Sequence, residues 1–461
     1  MSTSHSKAAD KFLKDRKYAD WHDDTFWSVR QKRDRMAAGL PEWERLRQAA
    51  SEIKDHTLFH LGDYLEQFAD AAEKNGVTVH WAADADEFNS IVYDILSSHG
   101  VRKMVKSKSM LTEECRMNPY LESKGIEIVE TDLGERIIQL KGQAPSHIVM
   151  PAIHLNHDDV GELFEKELCT EKGNHDPTYL TYQARLSLRD EFLTADAGMT
   201  GANFGIARTG DIVVCTNEGN ADMSTSCPRL HIAAMGIEKV IPDYDALAVF
   251  HRLLARSATG QPTTVFTSHF RKARPGGEMH IVLVDNGRSE WLADSDHRRI
   301  LRCMRCGSCM NTCPVYRNSG GYSYSYFIPG PLGVNLGMLR DPKAYSGNVS
   351  SCTLCLSCQC TCPVKIDLGD QIYKWRQKLD SYGTANKEKK LICKGMEAIF
   401  DHPGIYNTAT GKVHLVNHVP DAILNCGLNP WAAGHKMMKF PKKPFHKLIK
   451  DVADPDDIKK S

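Results

Sequence analysis

Apolar residues recur at helical spacing through the first part of the chain, from about Asp10 to Lys74. Trp43, Leu46, Ala50 and Ile53 form one run, and Leu58, Leu61, Leu65 and Phe68 form another. Pro41 suits the first turn of a helix, and glycine is almost missing here, so residues 1–75 are expected to be helical. After Gly76 the pattern changes. VTVHWAA, KMVKSKS, IEIVETD, RIIQL, HIVMPAI, DIVVCTN, KVIPD and HIVLVDN are short β-prone runs. Between them, segments such as ADEFNSIVYDILSSHG and DVGELFEKELCTE carry the helical period. Alternating strands and helices predict an α/β domain with a largely parallel sheet over residues 76–288. The charged segment SEWLADSDHRRILR then leads into a cysteine-rich region, residues 289–385. Its insert NSGGYSYSYFIPGPLG is expected to be an ordered loop, since its aromatic residues would otherwise face water. Residues 367–382 have a helical pattern, and residues 386–461 form a weakly patterned extension. The tail GHKMMKFPKKPFHKLIKD mixes basic and apolar residues, which suits a solvated or partner-docked segment or contact with a membrane surface.

A length of 461 residues allows two or three domains. Hydrophobic residues at 41% and charged residues at 25% are those of a soluble globular protein. The 58 lysines and arginines balance 58 aspartates and glutamates, which removes the broad attraction to nucleic acid that a basic chain would have. The segment MSTSHSKAADKFLKD lacks the apolar stretch of a secretory signal, and no run of eighteen apolar residues occurs. The simplest location is the cytosol. In that reducing compartment, clustered cysteines point to metal binding or redox chemistry rather than to disulfides.

Nine of the 15 cysteines fall in two short stretches, CMRCGSCMNTCPVY and CTLCLSCQCTCPVK. Both contain C-x2-C-x2-C-x3-C-P: Cys303, Cys306, Cys309 and Cys313 in the first, and Cys352, Cys355, Cys358 and Cys362 in the second. Three thiolates two residues apart can hold three corners of an iron-sulfur cube, while the fourth points to the other cluster. The spacing therefore predicts one [4Fe-4S] cluster on Cys303, Cys306, Cys309 and Cys362, and another on Cys352, Cys355, Cys358 and Cys313. A zinc pair would leave the third cysteine and the C-P of each copy without a reason, and a disulfide framework suits neither the compartment nor the crowding. Paired redox centres suit a one-electron relay, with a purely structural role as the alternative. Cys360 is expected to be a spare buried thiol. Of the scattered Cys115, Cys169, Cys215, Cys227, Cys393 and Cys426, Cys215 is expected in the core and Cys227, before Pro228, is a candidate reactive thiol.

The α/β region offers two polar loops. In GMTGANFGIARTGDIVVCTNEGN, Gly198, Gly201, Gly205 and Gly210 precede the strand at residues 211–215, and Thr216, Asn217, Glu218 and Asn220 follow it. The end of a parallel strand is where such sheets bind ligands, although the spacing is not that of a dinucleotide fingerprint and a turn-rich segment is the alternative. Lys106, Ser107, Lys108 and Ser109 could hold a carboxylate or phosphate, or form a solvated loop. His147, His154, His157, Asp158 and Asp159 have no established metal-ligand spacing.

KSKSMLTEE, VETDLGERIIQL, PSHIVMPAIH, MTGANFGIARTGDIVVCTNEGN and the two cysteine motifs, in this order, resemble the LutB family, the iron-sulfur subunit of the bacterial L-lactate utilization system. The likeness runs from about Trp43 to beyond Ile366. It implies a LUD α/β domain, related in fold to sugar-phosphate isomerases and CoA transferases, joined to an α-helical dicluster ferredoxin domain. It also implies action with two partners, one rich in cysteine pairs and one a smaller LUD-domain protein, in oxidising L-lactate to pyruvate. The location expected is cytoplasmic, with peripheral contact at the inner face of the membrane as the alternative. Only the eight ligand cysteines carry over residue by residue. Cys115, Cys360 and the run His154-Leu155-Asn156 depart from the usual pattern. Two other functions share these features: a dicluster subunit of another 2-hydroxy-acid or heterodisulfide-type oxidoreductase, and an α/β ligand-binding or transferase domain with a redox-switch cluster module and Glu218 as nucleophile.

Overall fold

A computed structural model describes residues 4–384, 387–424 and 438–451. Cys426 and residues 434–437 of the basic tail lie outside the described residues. The chain divides into two compact units, one spanning Ser2–Leu379 and the other beginning at Asp380.

Among the described residues of the larger unit lie ten strands: β1 (Thr78–Ala82), β2 (Lys103–Lys106), β3 (Glu127–Glu130), β4 (Ala197–Gly201), β5 (Phe204–Ile206), β6 (Asp211–Thr216), β7 (Leu230–Gly236), β8 (Val240–Ile241), β9 (Phe266–Phe270) and β10 (Glu278–Val284). Six form a parallel sheet in the order β1-β10-β7-β4-β2-β3. Alternation along the strands sends side chains to opposite faces. Ile232, Ala234 and Val282 pack with Phe88, Val92 and Leu96 of the helix Ala85–Ser98. Ala233, Met235, Ile281 and Leu283 pack on the other face with Leu61, Leu65 and Phe68 of the helix Leu61–Lys74. Both faces are covered, as a parallel sheet requires.

Three predicted strand runs differ from the sequence expectation, and four further strands were not expected. RIIQL lies within a helix, Leu133–Lys141, because Asp132 caps the N–H groups of Gly134 and Glu135, and Gly142 ends it at φ 65°. HIVMPAI forms turns, not a strand. DIVVCT is a strand but lies in a separate four-stranded sheet, β8-β5-β6-β9, antiparallel to both neighbours. TNEGN therefore does not follow a parallel strand. AGMTG, FGI, LHIAAMG and FTSHF are strands that the pattern did not suggest.

The glycines before β6 serve packing. A Cβ on Gly198 would stand 1.6 Å from the Ser224 carbonyl oxygen, and one on Gly210, at φ 73°, would stand 2.4 Å from the Ala72 nitrogen.

The helices Ser4–Leu13, Arg16–Ala38 and Trp43–Phe59 pack with the cysteine segment in this same unit. After the second motif, the helix Leu368–Lys378 closes the unit. Sheet, N-terminal helices and cysteine segment converge on Glu238, which is 3% exposed. Arg288 donates Nε–H to Glu238 at 2.5 Å and holds Glu114 through both terminal nitrogens, at 3.0 and 2.9 Å. Lys54, from the helix Trp43–Phe59, donates to the Glu238 carbonyl. Lys239 donates to the Cys303 carbonyl at 2.9 Å, and Arg305 Nη2 lies 3.8 Å from the Glu238 carboxylate. Burial alone would raise the Glu238 carboxyl, but the charges of Arg288, Lys239, Arg305 and Lys54 bring it down to about 2.

The smaller unit contains the helices Lys387–Phe400 and Pro403–Lys412, where the Phe400 and Tyr406 rings stand 5.9 Å apart. The Asn417 amide exchanges hydrogen bonds with the Phe440 backbone at 2.7 and 2.9 Å. No helix among the described residues is long and apolar enough to cross a membrane.

Two outcomes are expected. Gly198→Ala forces β4 away from the helix Asn220–Ser226, costs about 3 kcal/mol, and lowers the thermal midpoint by several degrees. Glu238→Gln removes the carboxylate that offsets Arg288, Lys239, Arg305 and Lys54 and costs about 3 kcal/mol at pH 7, the depression of its pKa from 4.5 to about 2 converted to free energy. A depressed carboxyl stabilises the fold above its ordinary pKa, so the wild-type advantage persists to about pH 4.5 and fades as pH falls towards 2. Denaturant unfolding of both proteins across this range checks it; equal stabilities at pH 7 would sink the assignment.

Candidate functional site

The two cysteine motifs repeat one backbone conformation. The second residue after the first cysteine is left-handed in both copies, Arg305 at φ 61° and Leu354 at φ 54°. The fourth is left-handed as well, Gly307 at 74° and Leu356 at 61°. These turns aim N–H groups at sulfur: Arg305 N donates to Cys303 Sγ and Leu354 N to Cys352 Sγ, each at 3.3 Å. Each copy then enters a short helix, Ser308–Asn311 or Ser357–Thr361. Thr312 and Ser357 join the two copies through a 2.5 Å hydroxyl pair.

Cys303, Cys306 and Cys309 share a small recess with Cys362 from the other motif, walled by Leu332, Val364, Ile366 and Leu368. Cys313 does not line it. Burial raises the Cys306 thiol, and the charges of Cys303 and Cys362 add to the rise. For Cys313, burial pushes the thiol up to about 11 against the N–H groups of Tyr316 and Val315, and the neighbours that add to the rise are Cys352 and Cys355. Cys358 likewise feels Cys313, Cys352 and Cys355 after its own burial. Four converging sulfurs with N–H donors suit an iron-sulfur cube, whose cationic core ionises thiols that burial alone keeps protonated. The second copy lies nearer water, with Cys352 partly buried and Cys355 exposed. Cys360 is exposed too, contrary to expectation, because the short helix Ser357–Thr361 turns it away from the other cysteines.

Arginines bind the outer side of these loops. Arg33 donates to the Thr361 carbonyl at 2.9 Å, and Arg47 donates to those of Cys362 at 2.8 Å and Cys360 at 3.0 Å. Arg302 reaches the Lys365 carbonyl at 3.1 Å, and Arg376 reaches those of Val349 and Cys352. The loop carbonyls are thus satisfied outward while N–H groups face sulfur.

Beside Cys306 a cavity of about 510 Å³ opens at the C-terminal ends of β2, β3, β4 and β7, the usual ligand position of a parallel sheet. Ser107, Lys108 and Ser109 line it, and Thr216, Asn217 and Glu218 reach it from the smaller sheet. Lys106 does not. It is fully buried on β2, 2.7 Å from Glu130, so this stretch is not a solvated loop. Asn220 is also buried away from the cavity, and neither end of its amide has a partner. Lys108 donates to the Val149 carbonyl at 2.8 Å and lies 3.4 Å from Glu135. Burial opposes ionisation of Asp132, but Lys108 and the N–H groups of Glu135 and Gly134 hold it low, while burial pushes Glu135 well up. Glu218 is exposed at the cavity mouth; the protein packed around it raises its carboxyl to about 7, and the charge of Asp132 adds to the rise. Cys215 lines the cavity and is only partly buried, where a core position was expected. Cys227 is partly buried against the cluster of Val105, Val129, Leu188 and Phe192.

The histidines tie the two regions together. His147 Nδ1 accepts the N–H groups of Val149 and Met150, so Nε2 carries the proton and donates to Asn311 Oδ1 at 3.0 Å. His154 bonds Ser146, Gln143 and Tyr322, and His157 lies exposed beside Asp158. Arg305, Arg288 and Asp132 line the cavity without having been singled out from the sequence. Arg305 stood inside the first motif, between Cys303 and Cys306, and that position was its only signal.

Residues 65–285 match the LUD domain and residues 299–366 match the 4Fe-4S dicluster domain, so the cysteine segment is an iron-sulfur cluster-binding module. The chain is similar to the uncharacterized electron transport protein YkgF of Escherichia coli, 39% identical over 87% of this chain and 85% of the relative. It is also similar to lactate utilization protein B of Shouchella clausii, 40% identical over 81% and 80%, and of Oceanobacillus iheyensis, 38% identical over 89% and 88%. A LUD domain followed by a dicluster domain, aligned with such relatives over most of its length, places this chain in the lactate utilization protein B family.

Proposed function

We propose that this chain is the electron-transfer iron-sulfur subunit of a complex that oxidises L-lactate to pyruvate. One [4Fe-4S] cluster would be held by Cys303, Cys306, Cys309 and Cys362, and a second by Cys352, Cys355, Cys358 and Cys313. The observation that carries this reading is the crossing of the motifs: Cys362 completes the recess of the first three cysteines, while the charges felt by Cys313 come from Cys352 and Cys355. When bound, the clusters supply one-electron relay chemistry. The protein's own groups fix that chemistry in place. Arg305 N and Leu354 N donate to ligand sulfurs, which favours the thiolate form, and the surrounding arginines keep the loops from turning their carbonyls inward.

The direction of transfer proposed runs from the enclosed first site to the more exposed second site, where Cys355 meets the surface. Partners would be a cysteine-rich subunit and a smaller LUD-domain subunit, with the assembly in the cytoplasm. The name lactate utilization protein B, borne by relatives about two-fifths identical, supports lactate as the electron source.

Anaerobic purification with both partners, followed by L-lactate addition, should bleach the cluster absorbance in the complex and leave the isolated chain unchanged. Lactate turnover by the isolated chain would show that oxidation takes place here and overturn the relay assignment. Cys313→Ser should remove the paramagnetic signal of the cluster on Cys352, Cys355 and Cys358, and Cys362→Ser that of the other. The reverse pattern would refute the crossing.

A further inference from the structure

We propose that the cavity beside Cys306 binds a two-electron ring carrier of the kind represented by flavins and quinones, with Arg305 and Ser107 holding its electronegative edge. This deepens the relay reading and rests on it.

Size gives the first argument. About 510 Å³ lies within the range of roughly 300–1,000 Å³ typical of sites for whole organic ligands, and exceeds what a three-carbon acid fills. The walls give the second. Met110, Ile137, Ile148, Met150, Leu155 and Leu254 supply an apolar lining suited to a flat ring. The free donors give the third. Arg288 is taken up by Glu114 and Glu238, and Lys108 by Glu135 and the Val149 carbonyl. Ser107 Oγ, in a residue 1% exposed, and Arg305 Nη1, on a guanidinium whose Nη2 lies 3.8 Å from Glu238, are buried without a hydrogen-bond partner. Both residues line the cavity. Arg305 also belongs to the loop that holds the cluster ligands, and its own N–H donates to Cys303 Sγ. A ring carbonyl bound by Arg305 would therefore lie against that loop.

The chemistry requires such a carrier. Oxidation of a 2-hydroxy acid releases two electrons together, whereas each cluster accepts one, and flavin-like rings convert between the two. The reduced carrier gives up two electrons and two protons and leaves as its oxidised form. The two clusters, when bound by the two cysteine sets, would take one electron each. One proton passes to Glu218 at the cavity mouth and the other to water. Glu218, whose carboxyl is raised to about 7, is suited to accept that proton near neutral pH.

The test uses the full-length protein, purified anaerobically with its clusters. It is titrated with FMN, followed by fluorescence quenching, and with menadione and coenzyme A, followed by calorimetry. Saturable binding of FMN or of menadione is expected, and the two arms identify the ring. Ala152→Trp, which fills the cavity from its lining, and Arg305→Gln should each weaken binding about tenfold or more. Iron content and the dithionite-reduced paramagnetic signal of Ala152→Trp should match the wild type, which separates loss of the site from loss of a cluster. Binding of coenzyme A alone, binding of neither ring, or ring binding unchanged in Ala152→Trp would each overturn the proposal. Wild-type clusters that dithionite cannot reduce would instead refute the relay reading, while the titrations would still decide whether the cavity takes a ring.

Discussion

The buried carboxylate of Glu238 is the constraint on which the arrangement depends. A charge removed from water is stable only where opposite charges surround it, and here they come from separate parts of the chain. Lys54 comes from the N-terminal helices, Arg288 from the segment after β10, and Arg305 from the first cysteine loop. A shift of any of these parts weakens the set of charges that offsets the burial of this carboxylate. The end of the sheet is thus fixed against the cysteine loop, and a single cavity acquires walls from both.

Peptide orientation does comparable work around the sulfurs. A loop that directs N–H groups inward must direct carbonyls outward, and these need donors. Arg33 and Arg47 supply them from the helices Arg16–Ala38 and Trp43–Phe59. The positive charges also offset the negative charge of thiolate-bound clusters, one of the means by which a protein sets cluster potential. The N-terminal helices therefore act as the outer frame of the cysteine module.

Much of this was legible in the sequence where a pattern was long or repeated. The iron-sulfur character of the cysteine segment was clear because its spacing occurs twice, and β1, β2, β3 and β10 were clear because each is a short run with β-prone residues. RIIQL failed because its caps, Asp132 and Gly142, outweigh the β-propensity of two isoleucines. LHIAAMG escaped notice because Ile232 is its single β-branched residue, although its largely apolar run suits a strand buried on both faces. Lys106 resembled a loop lysine because its partner Glu130 is distant in sequence, on the next strand of the sheet. Arg305 was hidden by its surroundings: within a motif defined by cysteine, the residue between two cysteines draws no attention.

The two motifs share a backbone but differ in what covers them. Position four of the first copy is Gly307, where a Cβ would approach His147 Cε1 at 3.0 Å and Val149 Cγ2 at 3.2 Å, so the α/β domain presses directly on that turn. Position four of the second copy is Leu356, which takes up the same left-handed conformation with a side chain and incurs a cost of about 1–2 kcal/mol. Its side chain packs over Gly369, where a Cβ would stand 2.6 Å from Leu356 Cδ2, and it remains 37% exposed. One repeat is therefore closed by the α/β domain and the other by its own following helix and water. This asymmetry lets two equivalent cysteine sets take unequal positions, one facing the cavity and the other facing the surface where a partner can reach it.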